Sequence, residues 1–158
     1  MEIRTPTAKD RPALQALLGR IDTFSEEERA CAMELIDLVL ATPDARHPDY
    51  QLLVADRADE LVGYICYGPT PMTDGTYDLY WIASDPKVRG QGIGGSLISA
   101  MEGELRRRQG RQVRVETSAT EAYGPTRGFY AAMQYAEEAR FKDFYTVGDD
   151  LIILKKKL

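Results

Sequence analysis

Val88-Arg89-Gly90-Gln91-Gly92-Ile93-Gly94-Gly95-Ser96 lies between an aromatic segment, Thr76 to Ser84, and a run of helical periodicity that includes Leu97, Ile98, Met101 and Leu105. Glycines at alternate positions let backbone N–H groups approach an anion without interference from Cβ atoms. The helix behind them adds its unpaired first-turn donors and the positive end of its dipole. Strand, glycine loop and helix together read as a grip for a pyrophosphate.

Several phosphate ligands share that grip. Gly90, Gly92 and Gly95 satisfy G-x-G-x-x-G, and Glu116 falls about 20 residues further on, where a dinucleotide-binding fold places its ribose ligand. Such a fold enters its first glycine almost directly from a strand, whereas Asp85-Pro86-Lys87-Val88-Arg89 intervenes here, and no repeated strand-helix units follow. The nicotinamide reading is the minor alternative. A P-loop needs a lysine before its serine or threonine, and Gly95-Ser96 supplies none.

Outward from the loop, the chain alternates strand and helix signals. Glu2 to Arg4 is a short strand; Leu14, Leu17, Leu18 and Ile21 recur at helical spacing. Ser25 with Glu28 forms a capping box for a second helix carrying Ala32, Leu35, Ile36 and Val39, and residues 42–50 form a loop. Gln51 to Ala55, Leu61 to Tyr67 and Thr76 to Ser84 predict three antiparallel strands. Arg106, Arg107 and Arg108 compensate the dipole at the end of the helix behind the glycines, before Gly110. Val113 and Val115 mark a strand, Pro125 opens a helix that runs through Met133, and Tyr135 to Tyr145 with Leu151 to Lys156 close the chain as paired strands.

At 158 residues, 44% hydrophobic and 28% charged, with no repeat or linker, the chain predicts one domain over 1–158 with a real core. No apolar run approaches membrane-spanning length and no leader-like segment opens the chain, so it reads as cytoplasmic. A net charge of −5 argues against nucleic acid as a partner and favours an amine substrate. Lys87, Arg89 and Arg127 offer a local positive pocket, while Lys155-Lys156-Lys157 reads as a solvated tail. Cys31 and Cys66 lack metal or redox spacing and read as small core residues. His47 has no carboxylate or cysteine partner in sequence, and no metal site is expected.

Ile82-Ala83-Ser84-Asp85-Pro86 followed by Val88-Arg89-Gly90-Gln91-Gly92-Ile93-Gly94 resembles the acyl-CoA signature of the GNAT N-acetyltransferase superfamily, whose core is R/Q-x-x-G-x-G/A. Gly128-Phe129-Tyr130-Ala131-Ala132-Met133-Gln134-Tyr135 resembles that family's second landmark, a helix carrying F/L-Y-x-x-x-G-F/Y. The resemblance implies an α+β fold in which helices flank a curved mixed sheet with splayed central strands. It implies acetyl-CoA as co-substrate, with the pantetheine arm against Ile82, Ala83 and Ser84. Gly90, Gln91, Gly92, Ile93, Gly94, Gly95 and Ser96 would present amides to the pyrophosphate, supported by Arg89. Tyr123 stands where many relatives carry a cofactor-contacting asparagine, and Gln134 where they carry a glycine in left-handed backbone.

The implied reaction is direct acetyl transfer to a primary amine of a small metabolite or peptide. Its acceptor must lose a proton, because a lysine-like ammonium has a pKa near 10.4. Asp78 is the first candidate base and Glu116 the second; Tyr130 is the implied acid for the leaving thiolate. Tyr64, Tyr67, Tyr77, Tyr80 and Trp81 are candidates to line the acceptor pocket. An acyl-CoA-binding sensor without turnover is the alternative of a different class. A homodimer is compatible with the resemblance, with Phe141 to Tyr145 either at its contact or completing the monomer's own sheet.

Overall fold

A computed structural model describes residues 1–158. Two helices lie between the first and second strands: α1 (Arg11–Gly19), with Pro12 in its first turn, and α2 (Glu26–Ala41). The capping box of α2 forms, with the Glu28 amide donating to Ser25 Oγ at 3.1 Å and the Ser25 amide to Glu28 Oε1 at 3.2 Å. The strands are β1 (Glu2–Arg4), β2 (Gln51–Arg57), β3 (Glu60–Pro69), β4 (Thr76–Ser84), β5 (Gln112–Ser118), β6 (Ala136–Thr146) and β7 (Asp149–Lys157). α3 (Ile93–Arg107) joins β4 to β5, and α4 (Gly124–Ala132) follows β5.

The strands form one mixed sheet in the order β1-β2-β3-β4-β5-β7-β6. Only β4 and β5 run parallel, and a parallel pair needs a crossover, which α3 supplies. Both faces are covered. Leu97, Ile98, Met101 and Leu105 of α3 pack on Leu53, Ile65, Leu79, Val113 and Val115, while Leu14, Leu17, Ile36 and Val39 of α1 and α2 pack on Leu52, Val54, Tyr64 and Cys66. Each such side chain, once buried, contributes roughly 1.5–3 kcal/mol.

Alternation along β4 is broken once. Cys66 pairs with Trp81 and Tyr67 with Leu79, so Tyr80 is an extra residue without a cross-strand partner. This bulge puts Tyr77, Leu79 and Ile82 with the α3 core and Trp81 and Ala83 with the α1/α2 core.

Both α-helices of the second half end in a left-handed glutamine. Gln134 has φ 69°, with the Tyr135 amide donating to the Tyr130 carbonyl at 2.9 Å and the Gln134 amide to that of Ala131 at 3.0 Å. Gln109 has φ 61° with the equivalent bonds, Gly110 to Leu105 and its own amide to Arg106. Both are Schellman ends.

Three sequence expectations fail. Cys31 is exposed rather than in the core, because its position on α2 faces away from the sheet; only Cys66 is buried, and burial pushes its thiol up to about 12. Lys155-Lys156-Lys157 is not a solvated tail. These residues pair with Arg114, Val113 and Gln112 as the end of β7, and Lys156 turns inward to Glu102 at 2.8 Å. Tyr135 likewise leaves the closing strand, which begins at Ala136, for the core.

Candidate active site

The β4–β5 ladder stops early. It runs from Thr76 opposite Gln112 to Leu79 opposite Val115, after which Tyr80 to Ser84 have no partner on that side and Glu116 to Ser118 pair only with β7. Unpaired backbone groups of both strands therefore border a wedge in mid-sheet, with Ile82, Ala83 and Ser84 along one side. Main-chain groups left open in this way seek partners, and an extended amide-bearing chain supplies them.

At the wide end of this wedge stands the N-terminus of α3. Gly90 (φ 77°) and Gly92 (φ 83°) are left-handed, and a Cβ on either would enter open space, so backbone conformation rather than crowding calls for glycine. Gly94 differs: a Cβ there would lie 3.0 Å from Phe129 Cζ, so its bareness lets α4 close against α3. The Gln91 amide donates to the Val88 carbonyl at 3.3 Å and the Ser96 amide to that of Gly92 at 3.0 Å. The amides of Gly90, Gly92, Ile93, Gly94 and Gly95 donate to no acceptor in the protein. Five free donors at the positive end of a helix of this length fit a diphosphate.

Around the loop, the Asp85 carboxylate accepts from the Lys87 amide at 2.9 Å and from Arg20 at 2.7 Å, fixing the turn that enters the glycines. Gln91 Oε1 accepts from Arg57, which ties the loop to the β2–β3 hairpin. Arg89 is exposed and has no carboxylate partner. Arg127 is not part of a positive pocket, because its guanidinium donates to the Ser118 and Thr120 carbonyls at 2.8 and 2.7 Å and closes the end of β5.

Asp78, Tyr80, Arg114 and Glu116 line a cavity of about 140 Å³ on the α1/α2 side of the wedge. Within it the two carboxylates differ. Asp78 is buried, accepting from Arg114 Nε at 2.6 Å and from the Thr70 hydroxyl at 2.8 Å. Glu116 is exposed, with no hydrogen bond or ion pair of its own. Burial and then the Asp78 charge push the Tyr80 hydroxyl up to about 12, so it stays protonated at neutral pH.

Tyr130 lies on α4 with only 4% of its surface exposed. Its hydroxyl makes no hydrogen bond within the protein, and burial holds it well above the usual tyrosine range. Tyr123 stands at the start of α4, where burial and then the charges of Glu28 and Asp149 raise its hydroxyl. Tyr145 of β6 is raised by burial, then by Glu116 and Asp149. Glu116 of the cavity thus acts on Tyr145 together with Asp149 and Glu28.

Of the five aromatics expected from sequence to line an acceptor pocket, only Tyr80 lines the cavity. Tyr64 and Tyr67 are core residues, Tyr77 packs against the α3 core, and Trp81 meets Phe24 edge-on at 5.3 Å. Sequence reasoning missed Thr70 and Arg114, although the alternation of Arg114 with Val113 and Val115 marks it as facing away from α3.

A larger cleft of about 900 Å³ lies at the other end of α3, lined by Arg46, His47, Tyr67, Glu104 and Arg108 among others. It shares no residue with the glycine loop, and the negative end of the helix is a poor place for a diphosphate. His47 there accepts from the Asp49 amide at 3.1 Å and stacks on Tyr50. No group of three or more His, Cys, Asp or Glu side chains is placed to hold a metal ion. No helix is long and apolar enough to cross a membrane.

Residues 48–137 match the acetyltransferase (GNAT) domain family. A GNAT-family protein from Desulfovibrio desulfuricans is 37% identical over 99% of this chain and 98% of that one, and superposes with a TM-score of 0.92. The aminoglycoside 6′-N-acetyltransferase of Enterococcus faecium (20% identity, 99% and 97% coverage, TM-score 0.78) shares the fold. So does the ribosomal-protein-S18-alanine N-acetyltransferase of Escherichia coli (19%, 99% and 92%, TM-score 0.76). An aminoglycoside 6′-N-acetyltransferase solved with coenzyme A is 18% identical, with a TM-score of 0.77. No curated protein sequence matches the chain. With the interrupted β4–β5 ladder and the free amides of its glycine loop, this chain belongs to the GNAT acetyltransferase family.

Proposed function

We propose that the protein transfers an acetyl group from acetyl-CoA to a primary amine by direct attack, with no acyl-enzyme. The observation that carries this is the set of five unspent amides at Gly90, Gly92, Ile93, Gly94 and Gly95, beside a wedge bordered by the open backbone of Ile82, Ala83 and Ser84. The loop binds the diphosphate, and β4 orients the pantetheine arm along its free edge. The thioester then lies between the acceptor cavity and α4.

Glu116 is the base in this reading. Asp78 is held by Arg114 and Thr70, so taking a proton would break two hydrogen bonds to its charged form, whereas Glu116 is free to accept one directly or through water. The amine nitrogen bonds to the thioester carbonyl carbon and the carbon–sulfur bond breaks. A cationic acceptor first gives one proton through Glu116 to solvent; on attack the nitrogen's second proton leaves to Glu116, the departing sulfur takes a proton from Tyr130, and solvent returns one to Tyr130 as Glu116 releases its own. Burial keeps Tyr130 protonated, the state a donor needs. Glu28, Glu116 and Asp149 on the acceptor side favour a cationic acceptor, and they concentrate it locally.

The test pairs calorimetric binding of acetyl-CoA and NADH with a thiol-release assay over a panel of amines. Acetyl-CoA binding and amine-dependent CoA release are expected, and Tyr130→Phe should lower kcat by roughly 10²-fold with little change in acetyl-CoA affinity. Binding without release across the panel would replace the enzyme with a sensor. NADH binding without a response to CoA would overturn the grip itself.

A further inference from the structure

The proposed reaction uses Tyr130 but leaves a buried ionic cluster beside it unexplained. Glu102 of α3 is 4% exposed, and Lys156 of β7 reaches both its carboxylate oxygens at 2.8 Å. The Tyr135 hydroxyl donates to Glu102 Oε1 at 3.1 Å, and the Lys156 ammonium sits 5.6 Å from the centre of the Tyr135 ring. Arg106 approaches the second oxygen at 3.4 Å. Burying a carboxylate is costly unless it is paired, and the two Lys156 contacts alone accomplish that. The tyrosine hydroxyl is therefore surplus to neutralising the charge; what it fixes is its own ring.

That ring lies against Tyr130. Their centroids are 5.7 Å apart at 63°, an edge-to-face contact, and the Tyr135 amide donates to the Tyr130 carbonyl at 2.9 Å. Phe129 flanks Tyr130 at 5.4 Å. With no hydrogen bond to hold its own hydroxyl, Tyr130 is aimed only by its neighbours. Phe129 is itself half-buried on α4, whereas Tyr135 is tied through Glu102 and Lys156 to two further elements, α3 and β7.

We infer that Tyr135, Glu102 and Lys156 are positioning residues that hold the Tyr130 side chain in line with the leaving sulfur. This rests on Tyr130 being the proton donor. A misaligned donor costs turnover but not cofactor binding, because the free backbone amides of the glycine loop hold the diphosphate without the Tyr130 hydroxyl.

The test is a double-mutant cycle. Tyr135→Phe keeps the ring and its packing but removes the bond to Glu102; Glu102→Gln keeps the volume and an acceptor. Each is made alone and in a Tyr130→Phe background, with kcat, acetyl-CoA KM and melting temperature measured. Each change alone should lower kcat by about threefold or more with KM unchanged, and should do nothing further once Tyr130 is phenylalanine. Lys156→Arg, which keeps a cation opposite Glu102, should retain more turnover than Lys156→Met. An equal fall of kcat in both backgrounds, or no fall in the otherwise intact enzyme, overturns the positioning role while leaving Tyr130 as the acid. If Tyr130→Phe itself leaves kcat unchanged, the acid assignment falls and the positioning role with it.

Discussion

Gln134→Gly should stabilise the protein. Gln134 has φ 69° and an exposed side chain that makes no hydrogen bond, so substitution removes no contact. A left-handed residue with a Cβ carries about 1–2 kcal/mol of steric cost, which glycine relieves. Against this, glycine adds freedom to the unfolded chain worth about 0.4–1 kcal/mol. The net gain is roughly 0.5–1 kcal/mol, or about 1–4 °C in Tm for a domain of this size. Thermal unfolding followed by circular dichroism measures it, with Gln134→Ala as the control that keeps the Cβ and gains nothing from relief of strain. The bonds from the Tyr135 and Gln134 amides involve only backbone and survive the change. An unchanged or lower Tm in the glycine variant would refute the assignment of strain to this position. Gln109→Gly, at the matching end of α3, should behave alike.

Asp78→Asn should cost about 1–3 kcal/mol of stability by weakening the bonds to Arg114 and Thr70 while leaving the pH dependence of kcat in place; a shifted acid limb would return the base role to Asp78. Glu116→Gln should instead depress kcat and remove that limb, and full activity in this variant would exclude Glu116. Gly92→Ala, at φ 83°, should raise the acetyl-CoA KM more than it lowers kcat, and an unchanged KM would show the loop to be indifferent to its backbone conformation. Stability should fall in alkali. Tyr64, Tyr67, Tyr130 and Tyr135 are all raised from 10.0, chiefly by burial, and Cys66 is raised from 9.0 to about 12. Above about pH 9 to 10 the unfolded chain releases protons that the folded chain keeps. Each group then subtracts up to about 1.4 kcal/mol per pH unit, and a urea midpoint that stays constant through this window would contradict the burial of these hydroxyls.

The parts of the fold that local chemistry dictates were legible. The glycine loop, the capping box at Ser25 and Glu28, and the alternation of Val113 and Val115 are patterns within a few residues, and each element forms where they indicate. The same limit explains what was hidden. Asp78 and Arg114 meet only because β4 and β5 run parallel, and Glu102 and Lys156 only because β7 inserts beside β5. No spacing along the chain announces either pair. Sequence alone therefore ranks Asp78 ahead of Glu116 without sight of Arg114, and reads the lysines at the end of the chain as a tail. The left-handed Gln109 was masked by Gly110 beside it, the more obvious helix terminator.

The unpaired Tyr80 also bears on how this gene can drift. Since Tyr80 is surplus to the register with β3, deleting any single residue from Leu79 to Trp81 would restore plain alternation and leave Ile82 and Ala83 on their present faces, whereas straightening the strand at its present length would bring Trp81 to the α3 face and Ile82 to the other. One residue can therefore be lost here without disturbing either core, and what disappears with the bulge is the outward-turned Tyr80 that lines the small cavity.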